Sequence, residues 1–148
     1  MTALSRIDLV PAAVHLSATF RQAAEVLVSH PVTTIAVLDD ENRVAGLFGD
    51  EDVLQGVFPR YLKELRHTSF ASGEAHLEER TREVASEPVE KHMREPVTLD
   101  ADASDLHASE RFLHCDFGAL PVVKGDRFVG MLGRAELCRA VLARWGEG

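Results

Sequence analysis

The sequence predicts an α/β fold of two pseudo-symmetric β-α-β-β-α units, packed sheet to sheet and joined by a helical bridge. The chain repeats itself: Val14-His15-Leu16, a helical stretch with Phe20, Ala23 and Leu27, then Ile35-Ala36-Val37-Leu38 and Val44-Ala45-Gly46-Leu47-Phe48-Gly49-Asp50-Glu51-Asp52. The same blocks return in order as Val97-Thr98-Leu99, then Leu106, Ser109 and Leu113, then Leu120-Pro121-Val122-Val123 and Phe128-Val129-Gly130-Met131-Leu132-Gly133-Arg134-Ala135-Glu136. Within each copy the apolar residues switch between the strand period and the helix period at matching places. One such unit leaves an apolar sheet face uncovered, whereas two related by a pseudo-twofold axis cover each other and create two equivalent clefts.

The spacing assigns the elements in turn. Val14 to Leu16 reads as a short strand, with Ser17 as cap for a helix whose stripe is Phe20, Ala23, Ala24, Leu27 and Val28. Thr33 to Leu38 is β-branched and apolar, Asp39-Asp40-Glu41-Asn42 is turn chemistry, and Arg43 to Phe48 returns as a strand. A helix from Asp50 carries Val53, Leu54, Val57 and Phe58 on one side. The second copy gives a strand at Val97 to Leu99, a helix from Ser104 to Leu113, a strand at Ala119 to Val123, a Lys124-Gly125-Asp126 turn and a strand at Arg127 to Leu132. Its last helix carries Leu137, Ala140, Val141 and Trp145, a stripe suited either to covering a sheet or to an oligomer face. These readings divide the chain into a first motif at 1–58, a helical bridge at 59–88 and a second motif at 89–148. In the bridge, Tyr61 to Arg66 and Leu77 to Val84 read as helical around a loose Thr68-Ser69-Phe70-Ala71-Ser72-Gly73, and Glu78-Glu79-Arg80-Thr81-Arg82-Glu83 as a solvated helix face.

Length and composition narrow the class. A chain of 148 residues is long enough to bury a core without a staple. The two cysteines, Cys115 and Cys138, fit neither a disulfide framework nor a paired-cysteine zinc signature, so a reducing, cytoplasmic location is expected. The N-terminal residues lack the basic start and apolar block of a secretion signal, and no apolar run approaches membrane-spanning length. A net charge of −8 without a basic cluster argues against a nucleic-acid partner. His107, His114 and Cys115 lie around one helix, but their spacing matches no metal-ligand pattern, so no metal is expected. Phosphate-loop, dinucleotide and nucleophile-elbow signatures are missing too, and no enzyme activity is expected.

The duplicated unit resembles the cystathionine-beta-synthase (CBS) domain, and the tandem resembles a Bateman module. The residues that carry this are Val89-Glu90-Lys91-His92-Met93, Glu95-Pro96-Val97-Thr98-Leu99, Leu120-Pro121-Val122-Val123 and Gly130-Met131-Leu132 leading to Glu136. The first copy is more worn, with Ala36 where Pro121 stands in the second. The resemblance implies a regulatory module that binds an adenosine-containing ligand (AMP, ADP, ATP or S-adenosylmethionine) between the motifs, forms a homodimer through its helices, and acts on an unknown regulated protein. The family's strand motif ends as glycine, two apolar residues, threonine or serine, two more residues and aspartate. That aspartate accepts hydrogen bonds from the ribose, and the hydroxyl with its helix start receives phosphate.

Carried onto this chain, the ribose position is Asp52 in the first copy and Glu136 in the second, while glycine replaces the hydroxyl residue at Gly49 and Gly133. Asp50 and Glu51 oppose a phosphate at the first helix start, although acidic residues there also stabilise a helix through its dipole. Asp52 suits either role. Arg134 fits a phosphate partner or an ordinary surface arginine, and Leu120 and Pro121 would lie against the base. Phosphorylated adenosines are therefore expected to prefer the second cleft, with the first empty or taking an uncharged or cationic adenosyl group. The competing expectation is a ligand-free scaffold that kept the fold after losing its hydroxyl positions.

Overall fold

The computed structural model describes Leu4 and residues 7–58 and 70–144, the side chains of 70–76 excepted. The first motif runs β1 (Ala13–His15), α1 (Phe20–Val28), β2 (Thr34–Leu38), β3 (Val44–Gly49) and α2 (Asp50–Val57). The bridge supplies α3 (Phe70–Ala85), followed by a 3-10 turn at Val89–Lys91. The second motif repeats the order with β4 (Leu99–Asp100), α4 (Asp105–Leu113), β5 (Ala119–Lys124), β6 (Arg127–Gly133) and α5 (Arg134–Ala143).

Each motif forms a three-stranded sheet with the middle strand parallel to the first and antiparallel to the third, in the orders β1-β2-β3 and β4-β5-β6. The sheets stack through β2 against β5 and β6. Each core therefore mixes the motifs: Leu4 and Leu47 are buried with Leu99, Phe112, Leu120 and Leu132, while Val89, Ala119 and Met131 are buried with Phe20, Ile35, Val37 and Phe48.

The segments preceding the two motifs cross over. Val10 pairs with Met131 of β6 through hydrogen bonds of 2.9 and 2.7 Å, and Arg94 pairs with Leu47 of β3 through bonds of 2.8 and 2.9 Å. The crossing is made possible by matching irregularities. Register shifts fall between Val37 and Leu38 and between Val122 and Val123, and beside them Gly46 lies against Met93 and Gly130 against Leu9. A bulge next to a glycine lets a second backbone approach closely.

The sequence expectations shift in places. The cap of α1 is Thr19, not Ser17, because Thr19 and Gln22 form a reciprocal capping box with bonds of 2.9 and 3.2 Å. Val28 leaves the buried stripe and is 80% exposed, since Phe20, Ala23 and Leu27 already fill the core-facing side. Leu54 of α2 and Phe58 just beyond it are exposed, while Asp52 and Gly56 turn inward. The helix of the bridge begins at Phe70, inside the stretch expected to be loose. It is not wholly solvated: Val84 is buried, and Arg80 Nε donates to the Gly56 carbonyl at 3.0 Å. The expected helix at Tyr61 to Arg66 and the place of Trp145 lie outside the described residues.

Candidate functional site

The pseudo-twofold relation places two clefts where β3 runs into α2 and where β6 runs into α5. Because each cleft is completed by the crossing segment of the other motif, Arg94 stands in the first where Val10 stands in the second. By the same relation Phe117 answers Val32, and Asp52 answers Glu136.

In the first cleft, Asp52 lies in the first turn of α2 and is 6% exposed. Its Oδ2 accepts the Gly49 N–H at 2.7 Å, a bond an N-terminal carboxylate makes to an otherwise unpaired backbone donor. Arg94 Nε lies 3.0 Å from Oδ1 and 3.2 Å from Oδ2, and the guanidinium sits 4.2 Å over the Phe117 ring. Burial raises the Asp52 carboxyl above its ordinary value, against the pull of the Gly49 N–H and the Arg94 charge. Glu51 adds a longer approach to Arg94 at 4.0 Å. The acidic start of α2 thus faces a cation from its own chain.

The second cleft is open, with a volume of about 430 Å³. That lies within the range of roughly 300–1,000 Å³ usual for small-molecule sites. Its apolar wall comes from Ile7, Val10, Pro31, Val32 and Met131, its floor includes Gly133, and its polar groups are Asp8, Glu136 and Arg139. Glu136 is half exposed and ion-paired with Arg139 one turn along α5.

Of the residues expected from sequence, Asp52 and Gly49 meet in the first cleft and Glu136 and Gly133 in the second. Arg134 does not join them. Helical spacing puts Glu136, Arg139 and Ala140 on one side of α5, and Arg134, Leu137, Cys138 and Val141 on another. That other side forms, with Phe112 and Leu113 of α4, an apolar groove of about 370 Å³. Leu120, Pro121 and Ala36 are buried in β5 and β2, the central strands of their sheets, and none of them lines the second cleft. Side chains that line or close the clefts without a signal of their own in the sequence are Arg139, Asp8, Val10 and Val32 in the second and Arg94 and Phe117 in the first. Among the described residues no group of three or more His, Cys, Asp or Glu side chains is placed to hold a metal ion. Nor is any of their helices long and apolar enough to cross a membrane.

The CBS domain family model matches residues 6–58 and 89–143. The chain belongs to the CBS domain family. Among solved structures, the CBS domain protein PAE2072 from Pyrobaculum aerophilum, complexed with AMP, superposes with a TM-score of 0.71 at 18% identity, covering 100% of both chains. CBSX2, a CBS-pair protein of Arabidopsis thaliana, in complex with AMP, superposes with a TM-score of 0.70 at 24% identity, covering 96% of this chain and 97% of that one. At these identities the likeness establishes the fold, a tandem CBS pair. The uncharacterized protein MJ1404 of Methanocaldococcus jannaschii is 27% identical over 121 residues, which is 81% of this chain. This chain spans 27% of the length of that curated relative.

Proposed function

We propose that this CBS pair is a regulatory, non-catalytic module that binds an adenosine nucleotide in the second cleft. The observation that carries the reading is the second cleft itself: an apolar slot built from both motifs, with a carboxylate and a guanidinium on one face of α5. The two oxygens of Glu136 suit a pair of ribose hydroxyls, Arg139 suits a phosphate, and Val10, Pro31 and Val32 offer apolar surface to a base. AMP in the related structures of PAE2072 and CBSX2 supports this class of ligand. Two carboxylates beside one guanidinium favour AMP over the more highly charged ADP and ATP, and keep S-adenosylmethionine as the cationic competitor.

A ligand there would touch residues 7–10, which belong to the first motif, and α5 of the second. It therefore shifts the balance between two arrangements of the motifs if it binds one of them better. We place the module in the cytoplasm as a homodimer acting on an unidentified regulated protein; Leu113 and Leu142, exposed at the groove between α4 and α5, give the helices an apolar surface for self-association. The alternative, a ligand-free scaffold, draws on the glycines at 49 and 133 and on the engaged state of Asp52.

Thermal shift with AMP, ADP, ATP and S-adenosylmethionine separates the two. A ligand at 100 times its dissociation constant adds about 2.7 kcal/mol and raises the melting temperature. The rise should vanish in Glu136→Ala and weaken for phosphorylated ligands in Arg139→Ala. A flat response to all four ligands favours the scaffold.

A further inference from the structure

We infer that the Arg94 side chain is an internal occupant of the first cleft, so that the chain holds one site for an adenosine ligand where its symmetry provides two. The inference rests on the ligand reading given above. It follows from comparing three pairs of equivalent residues. In the second cleft Val10, Val32 and Glu136 leave an open slot with a half-exposed carboxylate. In the first, Arg94, Phe117 and Asp52 close on one another: the guanidinium stacks 4.2 Å over the ring while its Nε reaches Oδ1 at 3.0 Å and Oδ2 at 3.2 Å. Oδ2 also takes the Gly49 N–H at 2.7 Å. Oδ2 of Asp52 therefore already accepts two hydrogen bonds, Oδ1 is ion-paired with the same guanidinium, and the aromatic face beside them is covered. A planar cation over a ring, donating to a carboxylate, uses the same groups that an incoming ligand would need.

The backbone holds the occupant in place. Two hydrogen bonds tie Arg94 to Leu47, at 2.8 and 2.9 Å, so the residue cannot slide away from the cleft and only its side chain can leave. That side chain is 33% exposed, which gives it a route out to solvent. Occupation is thus decided by one side chain and not by the fold, and removing its donors while keeping its length should free the cleft.

Isothermal titration of the full chain with AMP tests this, using Arg94→Met, which keeps an apolar stem over Phe117 but cannot donate. Each protein is first checked for a cooperative thermal transition. The expected stoichiometry is one AMP per chain in the wild type, two in Arg94→Met, and one again when Asp52→Asn is added to Arg94→Met. Two AMP per chain in the wild type, or no gain over the wild type in a folded Arg94→Met, overturns the inference. A second measurement needs no destabilising change: the Arg94 Nε–H resonance of the wild type, held by Asp52, should persist at saturating AMP, and its displacement by AMP overturns the inference. The underlying ligand reading fails separately. If the wild type binds no AMP but Arg94→Met binds one through Asp52, Arg94 remains the occupant and the second cleft is not the site. If the wild type binds one, lost in Glu136→Ala, with no gain in Arg94→Met, the reverse holds. No binding by either protein removes both.

Discussion

Gly130 shows how a single position controls the assembly of the clefts. Its φ is +154°, a conformation that side chains rarely adopt, and a Cβ there would meet Leu9 of the crossing segment. Gly46 occupies the equivalent place, with Met93 as its neighbour, but without a positive φ. A flexible methionine end can yield where a strained backbone cannot. Gly130→Ala is therefore expected to lower the unfolding free energy by about 1–3 kcal/mol, and Gly46→Ala by less, as measured by urea denaturation. Equal losses would show that crowding, and not backbone strain, sets the cost. The repeat made both glycines visible in the sequence, but not the reason for them, because neither Leu9 nor Met93 is a neighbour along the chain. Arg94 was hidden for a related reason. It sits within the segment that carries the family resemblance, yet its meaning comes from standing where Val10 does and from facing Asp52, Glu51 and Phe117.

At the scale of elements, periodicity was informative wherever local patterning decides the structure. The strands came through within one to two residues, and α2 and α4 start where the acidic turn and Ser104 indicate. It failed where a tertiary contact overrides propensity, as in the bridge, whose helix starts at Phe70 and packs Val84 into the core around Phe20, Ile35 and Phe48. The exit of that helix is fixed by Glu87, whose Oε2 pairs with His92 Nε2 at 2.6 Å while Oε1 lies 3.5 Å from Arg80. The hydrogen bond from His92 holds the Glu87 carboxyl below its ordinary value of 4.5, opposed by burial and aided by the charges of Arg80, His92 and Lys91. A carboxyl whose folded pKa is lowered contributes stability above its unfolded pKa and loses it as pH falls through the folded one. Glu87→Gln should therefore be less stable than the wild type at neutral pH by roughly 0.2–1 kcal/mol, the scale of a partly exposed pair. The gap should close as pH falls below the glutamate range. Unfolding curves of both proteins at pH 7 and at strongly acidic pH check this, and a gap that widens with acid would contradict the assignment.

For the whole molecule, duplication produces cooperation, because neither copy owns a complete core. The cluster around Leu99, Leu120 and Leu132 also holds Leu4 and Leu47, and the cluster around Ile35, Val37 and Phe48 also holds Val89, Ala119 and Met131. Fully burying an aliphatic side chain of this size is worth about 1.5–3 kcal/mol. Losing two or three of them per core approaches the whole stability of a domain, about 5–15 kcal/mol. A separated motif would also keep a sheet whose apolar face has no cover, and at some 60 residues it would bury only about 60% of its unfolded surface. The crossing segments tighten the dependence further, since the strand bond of Val10 is to Met131 and that of Arg94 is to Leu47. Residues 1–88 and 89–148, expressed apart, are therefore expected to show no cooperative thermal transition by far-UV circular dichroism. The intact chain should melt once, with calorimetric and van't Hoff enthalpies in agreement. A sharp independent melt of either piece would mean that the sheets do not depend on each other, and ligand binding between them would then have no mechanical hold on the second motif.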